Sequence, residues 1–470
     1  MKNIKALEDE LLFKRRNIWE SADEAQKDKI YKFSDEYMDF LNCTRTPAQS
    51  IKKVAEYLKS CGFVDFTKDN RSDRVYQITK DKSLAVFCAG EAKVQEGLNI
   101  LAAHIDSPRI DIKQNPLYQE HNVALFKTHY YGGIKNYQWY STPLCLCGTI
   151  ITNEGKELDI QIGLADSDPV FVIPDLLPHL SRKAQDQKKV SEAFDANKLN
   201  LVFSSIPIAC DSEKKVDNAI KLGALYLLKQ KYGICEKDLF SAELCLTPAV
   251  KARSAGLDAS MVAGYGQDDK LCVFTQANVL AKTKINAKSC AMFLLDREEI
   301  GSQGNTSASS PIVKNFIRQM LKANGEPYDS LTLEKTIANS QILSGDVGAA
   351  VNPNFTDVHD IQNASYINCG IEVIKYTGFG GKYAASEASG KFVAKLLHLW
   401  DREKIHWQVS SLGKVDMGGG GTIAKYLANL GADVLDCGVG LMSIHSLCEL
   451  AGKADIYELY KAFDVFLKKA

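Results

Sequence analysis

Five short stretches of this chain place residues able to hold a metal ion or move a proton beside an apolar run. GLNILAAHIDSPRID brings His104 and Asp106 to the point where the run meets its first acid. On an extended segment, residues two apart point the same way. His104 could then bind a metal while Asp106 accepts from its other ring nitrogen and fixes the tautomer. CAMFLLDREEIGSQG runs from an apolar strand, Cys290 to Leu295, into Glu298 and Glu299. Adjacent acids at a strand end are costly unless positive charge is near. A divalent ion would supply it, one carboxylate acting as ligand while its neighbour accepts the proton of activated water. SQILSGDVGAAVNPN delivers Asp346, DVLDCGVGLMSIHS delivers His445 where the last long helix is expected to start, and GYGQDDKLC adds Asp268 and Asp269. Each of these also reads, singly, as a charged turn or a capping residue. Together their imidazole and carboxylate donors suit a pair of zinc-like ions sharing a bridging carboxylate.

Other stretches read differently. Asp217 and Asn218 of KVDNAIKLGALY precede a helical period and read as caps. DMGGGGTIAKYL lacks both the Lys-Ser/Thr pair of a P-loop and a GxGxxG pattern. Close backbone approach beside a site, such as to a substrate terminus, is the expectation there. Cys145 and Cys147 share one face of a strand and read as buried structural thiols.

The elements around these residues imply an α/β fold. Tyr31, Phe33, Tyr37, Phe40 and Leu41 recur at helical spacing, as do Ile51, Val54, Ala55 and Leu58 after Thr46–Pro47. SLAVFCAG and GLNILAAHID read as strands buried on both faces of a sheet. From 110 to 245 the texture becomes alternating and aromatic-rich, an all-β pattern, followed by a helix containing Ile220, Leu225 and Leu228. Beyond Glu243 apolar segments alternate with helices again: ELCLTPA, DKLCVFTQANVL, SCAMFLLD, IVKNFIRQMLKA, QILSGD, IEVIKYT, a helix near 386–399, DVLDCGVG and a final helix. The expected architecture is a mixed-sheet catalytic domain with helices on both faces, residues 1–109 and 246–470, interrupted by a β-rich insertion over 110–245.

Composition excludes other classes. A chain of 470 residues with 45% hydrophobic content can bury a sizeable core, which disordered and fibrous chains cannot. Lys and Arg number 57 against 58 acids, a net charge of −1, so nothing favours nucleic acid or anionic lipid as a partner. No apolar run reaches the roughly 18–20 residues of a membrane span, and the charged N-terminus does not read as a signal peptide. The 13 cysteines, an odd number with no CxxC pair, fit a reducing, cytoplasmic setting better than a disulfide framework.

AHIDSPRID, GYGQDDKLC, DREEIGSQG, SGDVGAAVNPN and GLMSIHS occur in the order seen in the aspartyl aminopeptidase and aminopeptidase I family of dinuclear zinc exopeptidases, which the chain resembles over nearly its whole length. The resemblance implies two divalent ions, normally zinc with cobalt or manganese as substitutes. It implies His104 and Glu299 among the ligands, Asp268 bridging, Asp346 and His445 completing the set, and Glu298 as general base. FVIPDLLPHLSRK resembles a segment whose later histidine, here His179, reaches a neighbouring subunit's active site in a tetrahedral dodecamer. Lys375 and Tyr383 fall where the family contacts substrate.

Two departures bear on specificity. Acid-specific members carry a histidine three positions after the metal-binding Asp, and here that residue is Ala349. The spacing from Lys375 to Tyr383 is also shifted. The implied reaction is removal of one N-terminal residue from peptides with a free N-terminus. Two other classes share these residues: a dinuclear amidase or deacylase, and a non-catalytic assembly protein retaining the fold.

Overall fold

The computed structural model describes residues 4–209 and 216–470. A nine-stranded mixed sheet carries the centre of the molecule. Its middle strand, Asn99–His104, lies parallel to Cys290–Leu295 on one side and to Gln341–Ser344 on the other. Next to Cys290–Leu295 runs Ser83–Cys88 in the opposite sense, and next to Gln341–Ser344 runs Asp433–Gly438. Asn99–His104, Ser83–Cys88 and Cys290–Leu295 are buried at every position, as strands covered on both faces must be.

Helices cover this sheet. Glu24–Cys43 and Pro47–Ser60 form where the apolar spacing predicts them, the second closed by a capping box between Thr46 and Gln49. Gly390–Arg402 starts a few residues later than expected, because the Ser389 hydroxyl accepts from the Phe392 N–H and fixes the first turn there. DKLCVFTQANVL belongs to the helix Gln267–Lys282, buried from Gln267 through Ala281. A helix enclosed on all sides has no polar face to reveal its period. Within it Gln276 donates to the Ala102 carbonyl at 2.9 Å, tying the helix to the middle strand.

A six-stranded antiparallel sheet is built mainly from the β-rich region, in the order Glu157–Ile162, Leu144–Ile151, Glu243–Pro248, Arg109–Glu120, Val123–Tyr131, Leu201–Ser204. ELCLTP, expected in the resumed strand–helix alternation, is instead a central strand here, pairing with both Leu144–Ile151 and Arg109–Glu120. Its apolar run satisfies either sheet, and only the long-range ladder decides. The helix Ala219–Tyr232 packs Ile220, Ala224 and Leu228 into this sheet's core. Asn218 stands at its N-cap in a left-handed conformation and makes no side-chain cap, contrary to the capping expectation. The Gln119 side chain accepts from Ile220 and Lys221 N–H instead, at 2.8 and 3.0 Å. Cys145 and Cys147 are buried with their sulfurs 3.6 Å apart, and every described cysteine is a free thiol.

A third sheet of five strands includes Gly348–Ala349, Gly440–Met442 and Glu449–Gly452. Among the described residues no helix is long and apolar enough to cross a membrane.

Candidate metal centre

Parallel register brings distant donors to one edge of the large sheet. His104 ends the middle strand opposite Leu295, so the turn bearing Glu298 and Glu299 starts beside it. Ala102 pairs with Ser344, and Asp346 follows two residues on, its carboxylate 3.9 Å from His104 Nε2. Asp268 enters from the non-helical first turn of Gln267–Lys282, where the Asp268–Asp269 peptide is cis. His445 lies in the turn between Gly440–Met442 and Glu449–Gly452, not at the start of the last helix, which begins at Lys453. Arg297 and His445 have φ of 71° and 63°, left-handed values that cost non-glycine residues roughly 1–2 kcal/mol each. Such strain gathers at functional sites.

Asp268 stands between the two imidazoles. Its Oδ1 is 3.1 Å from His104 Nε2 and its Oδ2 3.2 Å from His445 Nε2. Glu299 Oε1 lies 3.3 Å from His445 Nε2. Donor atoms of His104, Asp268 and Asp346 fall within 4.8 Å of one another, as do those of Asp268, Glu299 and His445, and those of His104, Glu298 and Glu299. The first two sets share Asp268.

Both rings turn Nε2 to this centre and tie Nδ1 elsewhere. His104 Nδ1 is 3.1 Å from the Asp106 main-chain carbonyl and 3.4 Å from its carboxylate, while His445 Nδ1 is 2.9 Å from the Gly133 carbonyl. An Nδ1–H donating to such an acceptor leaves Nε2 able to hold an ion.

Without an ion the cluster carries a large electrostatic cost. Burial pushes the Glu298 carboxyl up to about 8, with His104 opposing and Glu299 adding to the rise. Glu299 is raised by burial and by Asp268, and Asp346 well above its usual range by burial, against the pull of His104. His445 goes the other way: burial opposes its charge, but Asp268 and Glu299 hold it protonated up to about 12. Glu298, Glu299 and Asp346 are thus pushed towards their neutral, protonated forms and His445 towards its charged form where cations would serve, while at Asp268 burial is outweighed by the two imidazoles, which hold it below its usual range. Divalent ions fit this set of buried carboxylates and two Nε2 donors, and their uptake has to displace those protons.

Several residues that support the centre escape sequence reasoning. Asp106 does more than face His104: its carboxylate accepts from the Glu298 and Glu299 N–H groups, each at 3.1 Å, and from the Tyr131 hydroxyl at 2.8 Å. One acid therefore locks the His104 strand end to the Glu298–Glu299 turn. Tyr131 and Gly133 reach the centre from the β-rich region. Glu449, fully buried, accepts from the N–H groups of Gln267, Asp268 and His445 at 2.6, 3.3 and 2.9 Å. Its one sequence signal is a lone acid in the apolar run SLCELAG. Behind Asp268, the Ser107 hydroxyl donates to its carbonyl and accepts from the buried Lys270 ammonium.

The donors open into a cavity of about 940 Å³ whose wall includes Ala349, Lys375 and Gly418–Gly421. The glycine-rich stretch thus shares the cavity that the donors open into. Tyr383 is 77% exposed and off the wall, beside the wall residue Gly380. His179 is exposed in the first turn of the helix Pro178–Ala184, away from the cavity. Asp217 is exposed before the Ala219–Tyr232 helix and takes no part.

The sequence profile of the family described as aminopeptidase I zinc metalloprotease (M18) matches residues 40–467. The chain belongs to the M18 aminopeptidase family. It is accordingly a hydrolase of the zinc metalloprotease class. A probable M18 family aminopeptidase 1 of Thermotoga maritima is 41% identical over 458 residues, 97% of this chain and 99% of that protein. The crystal structure of an M18 aminopeptidase from Thermotoga maritima superimposes with a TM-score of 0.93 at 40% identity, covering 98% of this chain and all (100%) of that one. Aminopeptidase I of Clostridium acetobutylicum gives 0.90 at 35% identity, with 98% and 100% covered. The mApe1 dodecamer of S. cerevisiae shares the M18 fold at 20% identity, TM-score 0.73, with 94% and 97% covered.

Proposed function

We propose that this M18 aminopeptidase acts at a dinuclear metal centre, with His104, Asp268 and Asp346 holding one ion, Asp268, Glu299 and His445 the other, and Glu298 serving as general base. The observation that carries the reading is Asp268, whose two carboxylate oxygens face two different imidazoles. Bound divalent ions supply Lewis acidity and lower the pKa of water; zinc suits the donors, and cobalt or manganese could replace it. Glu298 takes the proton of the attacking water and returns it to the leaving amine. Asp106 keeps His104 and the Glu298 turn in register. The carboxylates around the centre favour a free, positively charged α-amino group, which limits cleavage to chain ends.

Substrate breadth follows from the cavity wall. Ala349 offers no imidazole where acid-specific relatives have one, and losing a hydrogen bond to a charged group costs roughly 1.5–3 kcal/mol, about one to two decades of discrimination. Lys375 contacts the substrate side chain and Tyr383 flanks it from the rim. Neutral residues such as Leu and Met should be removed along with Asp and Glu, while peptides with blocked N-termini stay intact. Aminoacyl fluorogenic substrates assayed with zinc, cobalt and manganese read this directly. A hundredfold or greater kcat/KM advantage for Asp would restore an acid-specific enzyme, and cleavage of blocked peptides would make it an amidase.

The β-rich insertion, 110–245, is proposed as the assembly unit of a cytoplasmic homo-oligomer, a tetrahedral dodecamer as the family resemblance implies; the yeast protein is itself a dodecamer. Leu176, Leu177 and Leu180 are 43%, 50% and 62% exposed around His179, an apolar patch suited to an interface. His179 then completes a neighbour's site. Mixed oligomers of His179→Ala and Glu298→Gln subunits should recover activity that neither parent has, because some sites pair an intact base with an intact donated histidine. No recovery in demonstrably mixed particles would remove His179 from the reaction.

A further inference from the structure

We propose that Glu387 is a specificity-determining residue, a counter-charge that occupies Lys375 and so weakens the enzyme's preference for acidic N-terminal residues. Lys375 lines the metal-bearing cavity, as do Lys382 and Tyr376. Glu387 stands behind that wall with Oε1 3.6 Å from Lys375 Nζ and Oε2 3.3 Å from Lys382 Nζ. One carboxylate thus bridges both ammonium groups on this stretch of wall. Lys382 is further held over the Tyr376 ring, 3.8 Å from its centroid.

The position of Glu387 does not depend on these half-exposed ion pairs, which are weak by themselves. Its backbone bridges to Tyr376, and the next residue, Ala388, donates its N–H to the Lys375 carbonyl at 2.8 Å. Main-chain bonds therefore carry the carboxylate to the lysine. Elsewhere the wall carries the metal-centre acids Asp268, Glu298, Glu299 and Asp346, and two acids, Asp360 and Asp416, match Lys414 and Lys425 in number. At this stretch of wall Lys375, Lys382 and Glu387 sum to one net positive charge with the carboxylate and two without it. The lysines in turn hold the Glu387 carboxyl below its usual range, Lys382 most strongly, so it stays ionised at neutral pH. A substrate carboxylate has to share Lys375 with a resident acid, whereas a leucine side chain does not.

This inference rests on the reading that Lys375 meets the substrate's N-terminal side chain. Removing one unit charge roughly 7 Å from a substrate carboxylate, at an effective dielectric between surface and bulk values, changes binding by between about threefold and fiftyfold. Glu387→Gln should raise the Asp:Leu ratio of kcat/KM roughly tenfold, mainly through KM, and the gain should shrink as salt is added. Glu387→Asp keeps the charge and should stay within about twofold of wild type. Lys375→Met should lower the ratio in the otherwise native enzyme and cancel the gain in the double variant. A ratio that stays within twofold in Glu387→Gln, or moves equally in Glu387→Asp, overturns the counter-charge role. An unchanged ratio in Lys375→Met alone overturns the underlying placement of Lys375. The wild-type ratio reports separately on substrate breadth.

Discussion

Glu298→Gln is expected to keep wild-type metal content while turnover falls by roughly 10²- to 10⁴-fold, the range for a lost general base. The substitution is nearly isosteric, and what fixes the residue is its backbone N–H on Asp106, which Gln retains. Only the ability to take a proton is removed. Burial pushes the Glu298 carboxyl up to about 8, and divalent charge held beside it would lower that value. Such a lowering would favour the ionised carboxylate that a general base requires. Glu299→Ala should behave in the opposite way and lose metal, because its Oε1 stands 3.3 Å from His445 Nε2 within the Asp268 set. Elemental analysis beside steady-state kinetics separates the two. Turnover of Glu298→Gln within a few-fold of wild type, or full metal occupancy in Glu299→Ala, would mean that the roles are misassigned.

The donors were legible in the sequence for a topological reason. Parallel strands deliver their C-terminal ends to one edge, so an apolar run breaking into His104, Glu298 or Asp346 marks both a strand end and a site. What joins those ends is not local. Glu449 lies 181 positions from Asp268, whose N–H it accepts, and Tyr131 meets Asp106 from another sheet. Neither pairing leaves a spacing to read. Glu387 looks like any exposed acid until the Tyr376 bridge sets it beside Lys375. The fold departs from its sequence pattern for the same reason. ELCLTP satisfies either sheet by pattern, and the helix Gln267–Lys282 lacks a solvent face. His445 precedes a short strand, whereas its sequence pattern predicts the start of the last helix. The helix start at Ala219 is capped by Gln119, about a hundred residues earlier, a partner that no local capping rule supplies.

Asp268→Asn should abolish activity and weaken both ions together, and this joint loss is what distinguishes a bridging ligand from an ordinary one. Each oxygen of the carboxylate faces a separate imidazole, at 3.1 and 3.2 Å, so no other acid in the cluster can replace it at both. An amide keeps the shape but offers one neutral acceptor oxygen and a nitrogen that cannot bind a cation. Affinity at each position should fall by more than the roughly 10–100-fold cost of an outer-shell partner. The backbone should hold, because Glu449 still accepts the N–H of residue 268 and Ser107 still donates to its carbonyl. Asp217→Asn is the matched control, since that exposed acid lies outside the cluster and Gln119 does the capping. Its effect on stability should stay within about 0.5 kcal/mol, with metal content unchanged. Zinc titration and thermal unfolding of the two variants decide the matter. If Asp268→Asn loses one ion and retains the other at wild-type affinity, Asp268 is a terminal ligand and the bridge must be sought among Glu299 and Asp346.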